Sequence, residues 1–164
     1  MPRSTQGGGA ASAAASENAA TRTPGAHVRV TFVRPDSPLA YGYPAHTWVF
    51  RQNFPLYDIP RRWLRMAYCT TCLDGPEDRS GIVLQWGDSD GAPLVVSGQA
   101  WGQAGLIGRP AILDMPVGRG HVVAFNFNPM HRDLNRGDQR LLWNALLNWR
   151  AILQSPGAGS SSAK

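Results

Sequence analysis

Cysteine, glutamate and lysine are all scarce in this sequence, and each shortage removes a class of function. There are two cysteines, Cys69 and Cys72, and no second C-x-x-C pair to complete a four-thiolate zinc site. Glutamate occurs only at Glu17 and Glu77, so few carboxylates are on hand for general-base work. Lysine occurs only at Lys164, and the other basic residues are arginines, which favour fixed carboxylate pairs but carry no functional argument by themselves. No apolar run approaches the roughly 20 residues of a bilayer span. The alanines of 10–20 are broken by Ser12, Ser16, Glu17 and Asn18, so the apolar stretch of a secretory signal is not expected, and neither is a membrane partner. No repeat of fixed period suggests a solenoid.

What is present fits one domain in 164 residues. Residues 1–26 combine Gly7-Gly8-Gly9 with alanines and serines and show no apolar period, and 154–164 end in Ser160-Ser161-Ser162. Both are expected to carry no fixed structure, which leaves a folded domain at 27–153. The formal charge is +5, but Arg3, Arg22, Lys164 and Glu17 lie in the ends, so the domain itself holds 13 basic and 10 acidic residues. Apart from Arg61, Arg62 and Arg65 the arginines are scattered, without the stripe that tracks a phosphate backbone, and no nucleic-acid partner is expected.

Apolar periodicity predicts the elements. Val28, Val30 and Phe32 alternate with Arg29 and Thr31, a strand with one buried face that Pro35 ends. Trp48-Val49-Phe50, Ile82 to Trp86 and Leu94 to Val96 read as further strands, the last two bounded by glycines. Around Pro60 to Cys72 helix and strand are equally supported. Ala111–Met115 and His121–Phe127, with the glycines of 116–120 between them, predict a hairpin. Asp138 is expected to cap a helix in which Leu141, Leu142, Ala145, Leu146, Trp149, Ile152 and Leu153 recur, with Leu142, Leu146 and Trp149 clamping the sheet. The expected class is α/β, a layered sheet with packed helices that ends in a hairpin followed by an amphipathic helix.

Between Pro93 and Leu147 the fixed points fall in a specific order: Ser97-Gly98, Gly108-Arg109-Pro110-Ala111, Pro116-Val117-Gly118-Arg119-Gly120, Phe127-Asn128-Pro129, Arg132, then Leu141-Leu142-Trp143-Asn144-Ala145-Leu146. With Pro38-Leu39-Ala40-Tyr41-Gly42-Tyr43 upstream, this order resembles the class I glutamine-amidotransferase-like domain that follows the catalytic domain in bacterial zinc carboxypeptidases of the carboxypeptidase A type. The resemblance covers residues 28–150 and implies a partial flavodoxin-like, amidotransferase-like α/β fold. It also implies a non-catalytic accessory role beside a peptidase domain, in cis or in trans, with the zinc in that other domain and no cofactor in this chain. An extracellular or periplasmic location follows if such a peptidase is exported. Catalytic residues do not carry over: no H-x-x-E occurs, and neither cysteine sits on the glycine-flanked elbow that amidotransferase chemistry needs.

Several candidate sites remain. Cys69 and Cys72 suit a disulfide or packed thiols, with metal and redox readings open. Ser97 lacks the glycine two residues earlier that marks a nucleophile elbow and reads as a turn serine. His121 and His131 with Asp114 and Asp133 form an acid/base cluster if the hairpin brings them together. Arg132, Asn126 and Asn128 lie near the end of the last strand, where α/β sheets bind ligands, and Trp101 beside Gly102 offers an aromatic platform. Two other functions therefore stand beside the accessory role: an amidotransferase-like hydrolase using cysteine and histidine, and a small-ligand or carbohydrate-binding module.

Overall fold

The structure is a computed structural model that describes residues 21–57, 81–88, 90–117 and 119–154. Six strands form one curled sheet: β1 (Arg22–Phe32), β2 (His46–Arg51), β3 (Ile82–Trp86), β4 (Val95–Trp101), β5 (Pro110–Val117) and β6 (Gly120–Phe125). The order is β2-β1-β3-β5-β6, with β4 also on β1, and every pair is antiparallel. Two helices follow, α1 (Arg136–Leu147) and α2 (Trp149–Gln154), so the fold is mixed α/β. No helix among the described residues is long and apolar enough to cross a membrane.

The long first strand causes the curl. β2 runs along one side of β1 from Ala26 to Thr31. On the other side β4 pairs from Arg22 to Val28 and β3 from Val30 to Phe32, so one strand serves two successive neighbours. At Gly98 a Cβ would strike the Gly25 carbonyl, and φ is +84°, so the β4 contact requires glycine there. β1 starts at Arg22, inside the stretch 1–26 expected to lack structure. Residues 22–26 carry no apolar period, and polar contacts help hold them: Thr23 N–H donates to Asn53 Oδ1 (2.7 Å) and Thr23 Oγ1 to the Gln52 carbonyl (2.8 Å).

Ala26, Val28, Val30 and Phe32 face inward and meet Trp86, Leu84, Ile112, Leu39 and Leu106 in the core. Arg51 is buried among them with its guanidinium over the Trp86 ring, and it donates to Thr23 and to the Phe54 carbonyl (2.6 Å). Burial lowers its pKa to about 10. On the opposite face of β1, Arg29 is buried by the turn after β3, donating to Asp90 (2.7 Å), while Thr31 donates to Asp88 (3.0 Å). The Arg29 hydrogen bond holds the Asp90 carboxyl down to about 2.

The terminal helix departs from expectation in three ways. It is two helices, broken at Asn148 (φ −105°, ψ 21°). Asp138 does not cap; it sits buried in the first turn and accepts from the Phe50 N–H (2.9 Å), an outward-facing donor of edge strand β2. The apolar clamp is also different: Leu141 and Ile152 are buried, whereas Leu146 and Trp149 are more than half exposed. Leu141, Ala145 and Ile152 face the core, the first two one position round the helix from the expected Leu142 and Leu146, and Ile152 in place of Trp149; because apolar residues occupy both stripes, periodicity alone does not choose between them.

The stretch 38–43 explains itself here. Pro38–Ala40 makes a buried 3-10 turn whose carbonyls receive α1: Asn144 Nδ2 donates to the Leu39 and Tyr41 carbonyls (3.0 and 2.9 Å), and Arg140 to that of Gly42 (2.9 Å). Tyr43 returns a hydrogen bond to the Gly137 carbonyl.

Candidate functional site

The hairpin of β5 and β6 keeps a regular register from Ile112↔Phe125 to Val117↔Gly120. Along β6 the period of two puts His121, Val123 and Phe125 on one face. Opposite them stand Leu142, Leu146, Trp149 and Ile152 of the two helices, and between strand and helices lies an open hollow of about 360 Å³. Among the described residues the lining is apolar except for His121. The volume falls at the lower end of the roughly 300–1,000 Å³ of small-molecule pockets.

His121 is not free to turn. Its Nδ1 lies 2.6 Å from Oδ1 of Asp114, which is 2% exposed and is its diagonal neighbour across the hairpin. A carboxylate can only accept, so Nδ1 carries the proton, and the ring presents Nε2 as its remaining polar atom. Among the described residues Nε2 has no hydrogen-bond partner. The other carboxylate oxygen faces Arg34 Nη1 at 3.6 Å. A buried aspartate flanked by arginine and histidine compensates its own charge and fixes the histidine ring.

Half of the anticipated acid/base cluster thus comes together. His121 and Asp114 meet; His131 instead stacks on Phe50 (centroids 4.8 Å apart), and Asp133 accepts from Gln139 (2.5 Å). Sequence reasoning missed Arg34, eighty residues from Asp114, for which no local pattern gives a signal.

The other candidates are dispersed. Asn126 is buried, its Oδ1 accepting from Trp86 Nε1 (3.2 Å) and its Nδ2 donating to the Pro55 carbonyl (2.6 Å), so its amide braces the core. Asn128 Oδ1 accepts from Met130 N–H in a local turn (3.0 Å), and exposed Arg132 takes a left-handed backbone (φ 52°). Trp101 is exposed at the end of β4, opposite Arg22. Ser97 lies in β4 and not in a turn, with Oγ 2.9 Å from His27 Nδ1; His27 Nε2 lies 3.2 Å from Asn135 Oδ1. That row ties the entry of α1 to the sheet. Among the described residues no three of His, Cys, Asp and Glu gather as metal ligands. Cys69 and Cys72 fall outside the described residues.

The helices present Trp143 and Leu147 to solvent away from the hollow and Leu146, Trp149 and Leu153 along its edge, each 40–76% exposed. Soluble domains rarely leave such side chains contiguous without an interaction to serve.

The fold and site define a mixed α/β domain with an antiparallel curled sheet and an apolar helical face. Comparison with models of known protein families, with curated proteins and with solved structures returned no match for the chain.

Proposed function

We propose that this domain is a non-catalytic accessory module that packs on a partner domain through the exposed apolar side chains of its two terminal helices. The observation that carries the reading is the exposure of Trp143, Leu146, Leu147, Trp149 and Leu153 within eleven consecutive positions. Tryptophan and leucine in such a patch supply the anchors on which interfaces concentrate their energy. The ordered motifs of 93–147, with 38–43, favour a zinc peptidase domain of the carboxypeptidase A type as the partner, in cis or in trans. In that reading the six strands are the closing part of an amidotransferase-like layered domain, the metal belongs to the partner, and this chain positions the partner or helps recognise its substrate.

Sedimentation of the full chain mixed with such a peptidase domain tests the proposal. A one-to-one complex is expected, and Trp143→Asp or Leu147→Asp, at positions exposed enough to tolerate charge, should weaken it at least about tenfold while leaving the circular dichroism unchanged. Absence of a complex, or a complex indifferent to both substitutions, overturns it.

A further inference from the structure

The hollow under β6 and the helices is apolar on its floor and has one oriented polar group in its lining. His121 is locked through Nδ1 on Asp114, whose other oxygen faces Arg34, so the ring turns Nε2, its free proton-accepting nitrogen, away from that pair. Trp149, part of the lining, carries the guanidinium of Arg150 over its ring at 5.2 Å. Among the described residues no acidic side chain lines the hollow, and the nearby carboxylate of Asp114 is already engaged on both oxygens.

We propose that the hollow binds a small amphiphilic carboxylate, its aliphatic or aryl-alkyl chain lying between Val123, Phe125, Leu142 and Ile152 and its carboxylate on Nε2 of His121. The floor rewards the chain by removing apolar surface from water, and this contribution is common to an acid, an alcohol or an amine of equal length. The head group decides among them. A carboxylic acid hands its proton to Nε2, which leaves a carboxylate accepting a charge-assisted hydrogen bond from an imidazolium that Asp114 stabilises through Nδ1. An alcohol can only donate a neutral hydrogen bond to Nε2, and an ammonium brings a second positive charge near the Arg150 guanidinium on Trp149. The inference does not rest on the docking proposal, because it concerns the chain alone.

Titration of the full chain with octanoate, 1-octanol and octylamine, followed by NMR shifts or calorimetry, decides the matter. Saturable one-site binding of octanoate is expected, at least about tenfold tighter than octanol, with octylamine weakest. His121→Ala should remove the advantage of the acid while leaving the alcohol bound. Leu146→Glu, a charge placed at a half-exposed position of the lining, should weaken octanoate more than octanol and decides the question if the histidine variant does not fold. Equal affinity for acid and alcohol, a preference that survives both substitutions, or no saturable binding of any of the three overturns the assignment.

Discussion

The two sides of α1 reverse the usual division of labour in an amphipathic helix. The side toward the sheet and the 38–43 turn is held largely by polar groups, Asp138 on the Phe50 N–H and Asn144 on two carbonyls, with Leu141 as the buried apolar contact between them. These three recur at intervals of three, one face of a helix. The opposite side carries Trp143, Leu146 and Leu147 in solvent. Where the helix is fixed it is fixed by hydrogen bonds that need a specific partner, and where it is apolar it is left open. The difference separates residues that build the domain from residues available for a partner, and substitutions on each side test it.

The largest effect is expected at Leu141. It has no exposure and lies between the two polar anchors, so Leu141→Ala removes packed methyl groups and leaves a cavity. A loss of about 2–5 kcal/mol in denaturant unfolding is expected. A loss under about 1 kcal/mol would mean that the inner side is as loosely held as the outer one, and the contrast would fail.

Asp138 sharpens the comparison through pH. Burial raises its carboxyl from the ordinary 3.8 to about 6, since desolvation penalises the charged form more than the Phe50 N–H stabilises it. The folded state then holds its proton at a pH where the unfolded chain has released one. Stability contributed by this group is therefore full below about pH 4, falls as pH rises to about 6 and stays low above, a change on the order of 2 kcal/mol. Asp138→Asn keeps an oxygen acceptor for Phe50 and removes the titration. The variant is expected to be more stable than the parent at pH 7.5 and to lose that advantage at pH 4, as thermal unfolding at the two values would reveal. An equal difference at both would place the effect elsewhere than in ionisation.

How much of this was legible in the sequence depends on where each element's signal lies. Ile82–Trp86 was readable because a compact apolar run between glycines is its own evidence, and the β5–β6 hairpin because residues 116–120 supply turn chemistry between two apolar runs. β4 was readable only at its start: Val95 and Val96 are apolar, but Ser97 to Trp101 form a largely exposed strand on β1 with no buried face to impose a period. The first residues of β1 were hidden because their order comes from Gln52 and Asn53, thirty residues away. The same physics governs the site. Asp114 and His121 were paired as candidates because a hairpin register brings near neighbours together, whereas Arg34 belongs to the site through the packing of the whole sheet. The hollow itself was invisible, since it lies between β6 and the two helices, and the spacing of elements that are not hydrogen-bonded to each other has no local pattern in the sequence.

The smallest expected effect is the most informative about the outer side. A continuous helical period makes Leu146 a clamp on the sheet, and by that reading Leu146→Ala should cost as much as any core leucine. Leu146 is instead 54% exposed, so the surface lost on truncation is less than half of what a buried leucine contributes. Full burial of a leucine is worth about 1.5–3 kcal/mol, which leaves about 0.7–1.4 kcal/mol here. No sealed cavity forms either, because the side chain borders an open hollow. Measured beside Leu141→Ala under the same conditions, the two leucines, five positions apart on one helix, should differ severalfold in their cost. If Leu146→Ala is as damaging as Leu141→Ala, the outer side is part of the core, the hollow is closed in solution, and Leu146 is no longer available to either a partner domain or a ligand.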